Sequence, residues 1–400
     1  MTDNNNEKEK VSFYNPYRES DHHNDYRRNP RPKKNIYPSK ARYSITKKHL
    51  IFNILAVIMS VVMILSGSAC LVAYAFFSRV NYKDIDTDQQ NGMINTNIND
   101  DKVNAYNGTL LNDPMILNIM LFGADTRKGQ VSGQSDTMIL FSIDTRHKKL
   151  KLLSIMRDTY VEIPQYENNK INASFYYGGA SLAVQAVQRN YGIKIDRYAV
   201  VDFKSFRSII DTLGGIDIEL TEEEIDYINW QCWVNGQVDT RNEIDISQFQ
   251  FYENKDGDYV TYVHLNGRQA LWHARNRGQD GICSGDDHVR TLRQRNVISI
   301  LINRMKNCDF ASVMSIIYEI GPMITTNLKT SEITKLASNI TTYLKYPIVS
   351  ESAPNLSNFG VDFYYDRIWI NGYGLECIVI YDWNSFRKKI ADFVFEDSIS

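Results

Sequence analysis

The sequence predicts a mixed α/β fold, with a central mixed sheet and helices on both faces, behind one N-terminal membrane span. Three features predict it. Short apolar runs ended by turn residues alternate with segments of helical period from residue 116 onward, the rhythm of strands buried on both faces and the helices that cover them. Residues 50–77 carry no charged side chain across 28 positions, which as a helix extends about 42 Å against a hydrocarbon core of about 30 Å. Nine Lys and Arg between Arg27 and Lys48 precede that stretch, whereas Arg79 and Lys83 are nearly alone after it, so the N-terminus is expected in the cytoplasm and the rest outside.

Residues 1–49 are polar and basic, without apolar periodicity, and read as a disordered cytoplasmic tail. The first 48 residues hold 12 Lys/Arg against 6 Asp/Glu, and the remainder 33 against 41. A short basic arm on an acidic body is not the composition of a nucleic-acid binder. The run at 50–77 is too long and starts too far in for a cleaved signal peptide. Residues 78–114, rich in Asn and Asp, read as an extracytoplasmic stalk, 115–320 as the main folded domain, and 321–400 as an α/β extension packed on it. Four of the five cysteines, Cys232, Cys283, Cys308 and Cys377, lie outside the span; they lack metal-ligand spacing, and a Cys232–Cys283 disulfide is one expectation for an oxidising exterior.

Strands are expected at Ile116–Phe122, ended by a turn at Gly123, and at Thr137–Ile143, Leu150–Ile155, Ala199–Phe203 and Ile216–Leu220. Helices are expected at Ala180–Tyr191, Phe203–Leu213, Gly267–Arg275, Asp287–Lys306, Ser331–Leu344 and Tyr381–Phe395. The stretch Asn229–Tyr262, with Trp230, Cys232 and Trp233, departs from this rhythm and reads as a surface insertion that could form a lip over a substrate.

Arginines and aspartates cluster where these strands end. GADTR (123–127) supplies Asp125 and Arg127, QSDTM (134–138) supplies Asp136, and SIMRDT (154–159) supplies Arg157 and Asp158. Ligands of α/β sheets gather at such edges, and two carboxylates there could share a hard cation such as Mg2+. Each taken alone is as readily a turn cap or a surface ion pair; their recurrence within about forty residues argues otherwise. HARNRG (273–278) adds Arg275 and Arg277, and DDHVRTLRQR (286–295) adds Asp287, Arg290 and Gln294. These last three fall at roughly 0°, 300° and 340° on a helix turning ~100° per residue, in a stripe that continues as Val297, Ile298 and Leu301. Arg293 and Arg295 point away from it and read as exterior salt-bridge partners. Arg127, Arg157, Arg275, Arg277 and Arg290 could surround a pyrophosphate, whose oxygens suit the planar guanidinium fork. KINASFYYGG (170–179) reads either as a β-to-α connection with Tyr176 and Tyr177 in the core or as a substrate wall. No GxSxG elbow supports a serine hydrolase.

GADTR, SDTM, S-I-x-R-D-T, K-I-N-A, Y-x-G-G, A-R-x-R and D-x-x-R-x-x-R-Q, in this order behind one span, resemble the LytR-CpsA-Psr family of envelope proteins over about Leu117 to Lys306. Met156, Gln134 and the His288–Val289 pair depart from the family's usual residues and leave the charged positions intact. The resemblance implies an α/β/α sandwich with an apolar lipid channel. It also implies a Mg2+-assisted phosphotransferase that moves a glycopolymer, teichoic acid-like or capsular, from a polyprenyl pyrophosphate carrier to peptidoglycan as a phosphodiester. By it, Asp125 and Asp136 hold the metal; Arg127, Arg157, Arg275, Arg277, Arg290 and Gln294 bind pyrophosphate; Arg157, Asp158, Asp136 and Arg290 carry the chemistry, and Asp287 supports them. A hydrolase of lipid pyrophosphates, or a non-catalytic membrane-anchored binder or regulator, stands as the alternative.

Overall fold

The computed structural model describes residues 59, 80–84, 100–124, 133–235, 243–279, 281–358 and 360–396. The chain divides into two compact units, Met1–Met63 and Ile64–Ser400, and all described residues but Met59 belong to the second. The expected cytoplasmic tail, the expected membrane span apart from Met59, and the expected site residues Asp125 and Arg127 lie outside the described residues. Among the described residues no helix is long and apolar enough to cross a membrane.

Fourteen strands and nine helices make up the described part. In chain order they are β1 (Asn81–Tyr82), β2 (Ile116–Ala124), β3 (Ser135–Asp144), β4 (Lys149–Ile155), β5 (Tyr160–Val161), β6 (Asn169–Lys170), α1 (Ile171–Tyr191), β7 (Arg197–Asp202), α2 (Phe203–Thr212), β8 (Ile216–Thr221), α3 (Glu222–Val234), β9 (Tyr252–Glu253), β10 (Tyr259–Leu265), α4 (Gly267–Arg275), α5 (Asp287–Met305), α6 (Phe310–Ile320), β11 (Thr325–Thr326), α7 (Thr330–Ser338), α8 (Ile340–Tyr343), β12 (Ile348–Ala353), β13 (Phe363–Ile370), β14 (Tyr373–Ile380) and α9 (Trp383–Phe395).

Seven strands form one mixed sheet in the order β1-β11-β7-β2-β3-β4-β12, β2 antiparallel to β3 and parallel to β7. Period-two alternation gives each strand two apolar faces. Met120, Phe122, Met138, Leu140, Leu153 and Ile155 face α1 and α9 and are closed by Leu182, Val187, Tyr191, Phe386, Ile390 and Phe395. Each such large side chain, once buried, contributes about 1.5–3 kcal/mol. The opposite face presents Ile119, Ile139 and Leu152, all buried, beside Leu121, Phe141 and Val201, which stay half-exposed. Helix α5 lies on this side, where the Arg295 guanidinium donates to Ser154 Oγ of β4 at 2.7 Å. Helices on both faces make the α/β/α sandwich.

The differences from expectation have local causes. Gly123 does not end β2: the strand runs to Ala124 with a register shift there, because a Cβ at Gly123 would come within 2.8 Å of Thr137 Cβ across the pair. Strand β8 leaves the central sheet and pairs with β10 in a separate three-stranded one. Within the segment read as a stalk, Asn81 and Tyr82 pair with Thr325 and Thr326 as an edge of the main sheet. The segment 229–262 begins inside α3, whose start is fixed by the Thr221/Glu224 capping box, and ends inside β10. Helix α1 starts at Ile171 and kinks at Gly178–Gly179; Tyr176 is exposed, while Tyr177 stacks on Tyr166 at 4.6 Å. The expected helix 331–344 is broken into α7 and α8 at Asn339. The expected Cys232–Cys283 disulfide is not formed, and no disulfide joins the described cysteines.

At the end of β3 remote from Asp136, Lys151 is buried with its ammonium 2.7 Å from Asp144 and 3.0 Å from Glu396, and it donates to the Val394 carbonyl at 2.8 Å. Burial alone would raise the Asp144 carboxyl, but the His147 amide and the Lys151 ammonium outweigh it and hold the group below the ordinary carboxylate range. The cluster ties the C-terminus of α9 to the sheet. Lys151→Ala strands a buried carboxylate and is expected to lower unfolding free energy by about 3–5 kcal/mol, read by urea denaturation. A depressed folded pKa contributes stability above the unfolded value, about 4 for a carboxyl. Wild-type stability is therefore expected to fall as pH drops below that value, with a shallower acid limb in the variant.

Candidate functional site

Three chain segments converge at the edge where β2 and β4 end and β3 begins. Ser135 donates from its hydroxyl to the Gly123 and Thr137 carbonyls at 3.2 and 2.7 Å, which fixes the start of β3 and the placement of Asp136. Beyond β4, Thr159 donates from its amide and its hydroxyl to the Met156 carbonyl at 3.1 and 2.7 Å, and the Asn172 amide donates to the Arg157 carbonyl at 3.3 Å. The turn bearing Arg157 and Asp158 is thereby pinned to the start of α1. The third segment is α5, capped by Asp286, which accepts from the Val289 amide. Asp287 opens this helix, and Arg290 and Gln294 follow on the same face.

A lattice of alternating charge joins them. Arg157 lies 2.5 Å from Asp136, 3.4 Å from Asp287 and 3.5 Å from Asp158. Arg290 Nη2 lies 2.8 Å from Asp287 Oδ1 and donates to Oδ2 at 3.0 Å, and to the Asp136 carbonyl at 3.2 Å. Lys170 completes the chain with a 2.8 Å bond to Asp158. Burial works against the Arg157 charge, yet Asp287, Asp136 and Asp158 outweigh it and hold the guanidinium above its ordinary range. At Arg290 burial prevails and the value is lowered. Burial also pushes the Asp287 carboxyl up, and Arg290 and Arg157 pull it back only in part.

Above this lattice opens a cavity of about 630 Å³ whose wall includes Asp136, Arg157, Arg275, Arg277, Arg290 and Gln294. Asp158 and Asp287 sit behind the arginines, not in the wall. Among the described residues Asp136 is the one carboxylate of the wall, so the cavity is strongly cationic. Arg275 and Arg277 form no ion pair with any described residue, and the Arg275 guanidinium packs on Phe203 and Trp272 at 4.4 and 5.3 Å from the ring centroids. Arg157 Nε, Arg290 Nε and Gln294 Oε1 are buried without hydrogen-bond partners. Four guanidiniums, two without a carboxylate partner among the described residues, match the several oxygens and multiple charges of a diphosphate.

Asp136 suits a hard cation as one carboxylate of a set completed by phosphate oxygens and water. The group of described residues close enough to share an ion is a different one, Asp144, His147 and Glu396, and Lys149 and Lys151 already answer its carboxylates.

Arg293 and Arg295 are buried, contrary to the helical-wheel expectation. Helix α5 buries more than one face in its first half, leaving Leu292 and Asn296 exposed, so Arg293 and Arg295 fall on faces covered by neighbouring elements. Arg293 bonds Glu224 of α3 at 2.7 Å and the Asn276 carbonyl at 2.9 Å. These bonds set the loop that carries Arg277, where a Cβ at Gly278 (φ +88°) would come within 2.6 Å of the Gly285 carbonyl oxygen. Of the expected insertion Asn229–Tyr262, Gln231 and Asn235 join the cavity wall, beside Tyr227 just before it. Phe203 and Trp272 were not singled out from sequence; Trp272 stands three residues before Arg275 on one helix face, a signal that was there to read.

The sequence matches the LytR_cpsA_psr family over residues 82–369. The polyisoprenyl-teichoic acid–peptidoglycan teichoic acid transferase TagV of Bacillus subtilis (strain 168) is 32% identical over 209 residues, 51% of this chain and 47% of TagV. The regulatory protein MsrR of Staphylococcus aureus (strain COL) is 33% identical over 208 residues, 52% of this chain and 54% of MsrR. The chain spans about half the length of these two relatives. A solved structure of TagT bound to LIIa-WTA shares the fold with a TM-score of 0.52 at 20% identity, covering 70% of this chain and 91% of that one.

Inorganic pyrophosphate is expected to raise the melting temperature of the full chain in calorimetry, since a ligand of the folded state alone stabilises it. The double variant Arg275→Ala/Arg277→Ala, which removes no described ion pair, should keep the unliganded melting temperature and lose most of that rise.

Proposed function

Since the chain belongs to the LytR-CpsA-Psr family, we propose that it is a phosphotransferase moving a glycopolymer from a polyprenyl pyrophosphate carrier to a hydroxyl of peptidoglycan, forming a phosphodiester. The observation that carries this reading is the cavity in which Arg157, Arg275, Arg277 and Arg290 meet, two of them without a carboxylate partner among the described residues. TagV, named a teichoic acid–peptidoglycan transferase, supports the same class of reaction. The half-exposed apolar face of the sheet at Leu121, Phe141 and Val201 supports a place for the isoprenoid chain, and the uncharged run at 50–77 would hold the domain at the outer membrane surface, where such carriers reside.

In this mechanism the acceptor oxygen attacks the sugar-linked phosphorus in line, the bond from that phosphorus to the bridging oxygen breaks, and lipid phosphate departs. Arg157 and Arg290 are held rigid before substrate arrives, so their donors meet growing charge on the phosphoryl oxygens without reorganising. Arg275 and Arg277, on the outer wall, grip the leaving phosphate. Asp287 and Asp158 position the two inner arginines. Asp136, with Asp125, would hold Mg2+, which when bound neutralises phosphate charge and polarises the P–O bonds.

Arg157→Ala and Arg290→Lys are each expected to lower transfer from a synthetic polyprenyl pyrophosphate donor by about 100-fold or more, with unchanged circular dichroism. The name of MsrR favours a regulatory reading as the competitor. Asp136→Ala separates the two: a transferase loses turnover by a similar factor while still binding pyrophosphate, and chelation by EDTA abolishes turnover in the wild type. A protein that only binds shows no acceptor-dependent product in any of these samples.

A further inference from the structure

On the other side of the loop 276–286 from the arginine cavity runs a second and larger groove, of about 1500 Å³, with opposite charge. Its walls come from β8, the first turn of α3, the β9–β10 hairpin and the outer face of α5. Eight carboxylate side chains line it, and among the described residues Arg293 is the one permanent cation, already bonded to Glu224. Glu222, Asp256 and Asp258 make no ion pair with a described residue and are exposed. Tyr259 and Tyr262, 65% and 61% exposed, present their rings in the same wall, and Tyr252 packs beside Tyr262 at 6.2 Å while donating to Glu219 at 2.7 Å.

A second observation, independent of the acids, points to a ligand. His273 of α4 lines the groove at 3% exposure, and neither ring nitrogen has a hydrogen-bond partner. Burial keeps this imidazole neutral, its pKa lowered to about 4, so it presents one donor and one acceptor. A buried imidazole with both nitrogens unanswered is costly unless something polar reaches it.

We propose that this groove binds a glycan strand carrying free amino groups, and that such a strand is the acceptor presented to the arginine cavity. The proposal rests on the transferase reading for its second half alone. Carboxylates give charge-assisted bonds to ammonium groups. Exposed tyrosine rings add cation–π attraction and a flat platform for sugar rings. His273 can serve a hydroxyl as donor or acceptor. A peptide amine can meet the carboxylates and the ring faces, but it offers no flat sugar face to stack on the rings and no hydroxyl for the imidazole, which is why a glycan is favoured. Proximity also fits: Arg293, on the groove, stands next to Gln294 and one helical turn from Arg290, both on the cavity.

The test is calorimetric titration of the detergent-solubilised full chain at low salt with three probes: a glucosamine hexamer, an N-acetylglucosamine hexamer and hexalysine. The glucosamine hexamer is expected to bind about tenfold or more tightly than its acetylated counterpart. Its affinity should drop by about tenfold or more in Glu222→Gln/Asp256→Asn/Asp258→Asn, and again in Tyr262→Ala. Hexalysine should bind more weakly and lose less affinity in Tyr262→Ala than the glucosamine hexamer does. Equal binding of both hexamers, no loss in the triple variant, or hexalysine binding as tightly as the amino-glycan would each overturn the proposal. All substituted positions are exposed, so folding is preserved. Pyrophosphate stabilisation, measured in the same variants, reports separately on the arginine cavity: its absence in wild type contradicts the transferase reading, and its survival in the triple variant shows that the two sites are distinct.

Discussion

The arrangement depends on one electrostatic constraint: guanidiniums must be brought within the width of a diphosphate before the diphosphate is there to hold them. At a few ångströms and partial burial, such like charges repel by several kcal/mol. Asp287 resolves this by standing between Arg157 and Arg290, with Asp136 and Asp158 on the remaining sides of Arg157. The inner arginines are thus neutralised from behind. Arg275 and Arg277 meet no carboxylate among the described residues, and the surplus positive charge lies in the cavity wall, where a ligand can meet it.

The fold supplies this lattice by placing the ends of β2 and β4 and the start of β3 at one edge and laying α5 across it. That helix is buried on more than one side in its first half, which is why it carries Arg293 and Arg295 as internal fasteners to Glu224 and Ser154. The opposite end of β3 shows the contrasting solution. There Lys149 and Lys151 answer Asp144 and Glu396 in full, leaving no charge to offer and only a clamp on the C-terminal helix. One strand carries a balanced cluster at one end and an unbalanced one at the other, and chemistry belongs to the unbalanced end.

Much of this was legible in the chain. Apolar alternation located β2, β3 and β4; helix α4 is bounded by an Asn266/Gln269 capping box that can be read directly, and its expected limits match. The stripe of Asp287, Arg290 and Gln294 follows from helical period alone. What escaped reading depends on tertiary neighbours. A helical wheel assigns Arg293 and Arg295 to solvent because it presumes one buried face, and α5 has several. Gly123 looked like a turn because its reason is Thr137, a residue on the partner strand. Phe203 reaches the cavity only through the packing of α2 beside α4. The acidic groove is assembled from β8, α3, the β9–β10 hairpin and α5, elements spread over about ninety residues, and no local motif announces it.

Phosphorus-31 NMR of geranyl pyrophosphate titrated with the full chain tests the central claim most directly. If the four arginines converge on a diphosphate, both phosphorus resonances shift and broaden on binding, and Arg290→Lys returns them toward their free positions. Two resonances that stay at their free values in the presence of excess protein would contradict it.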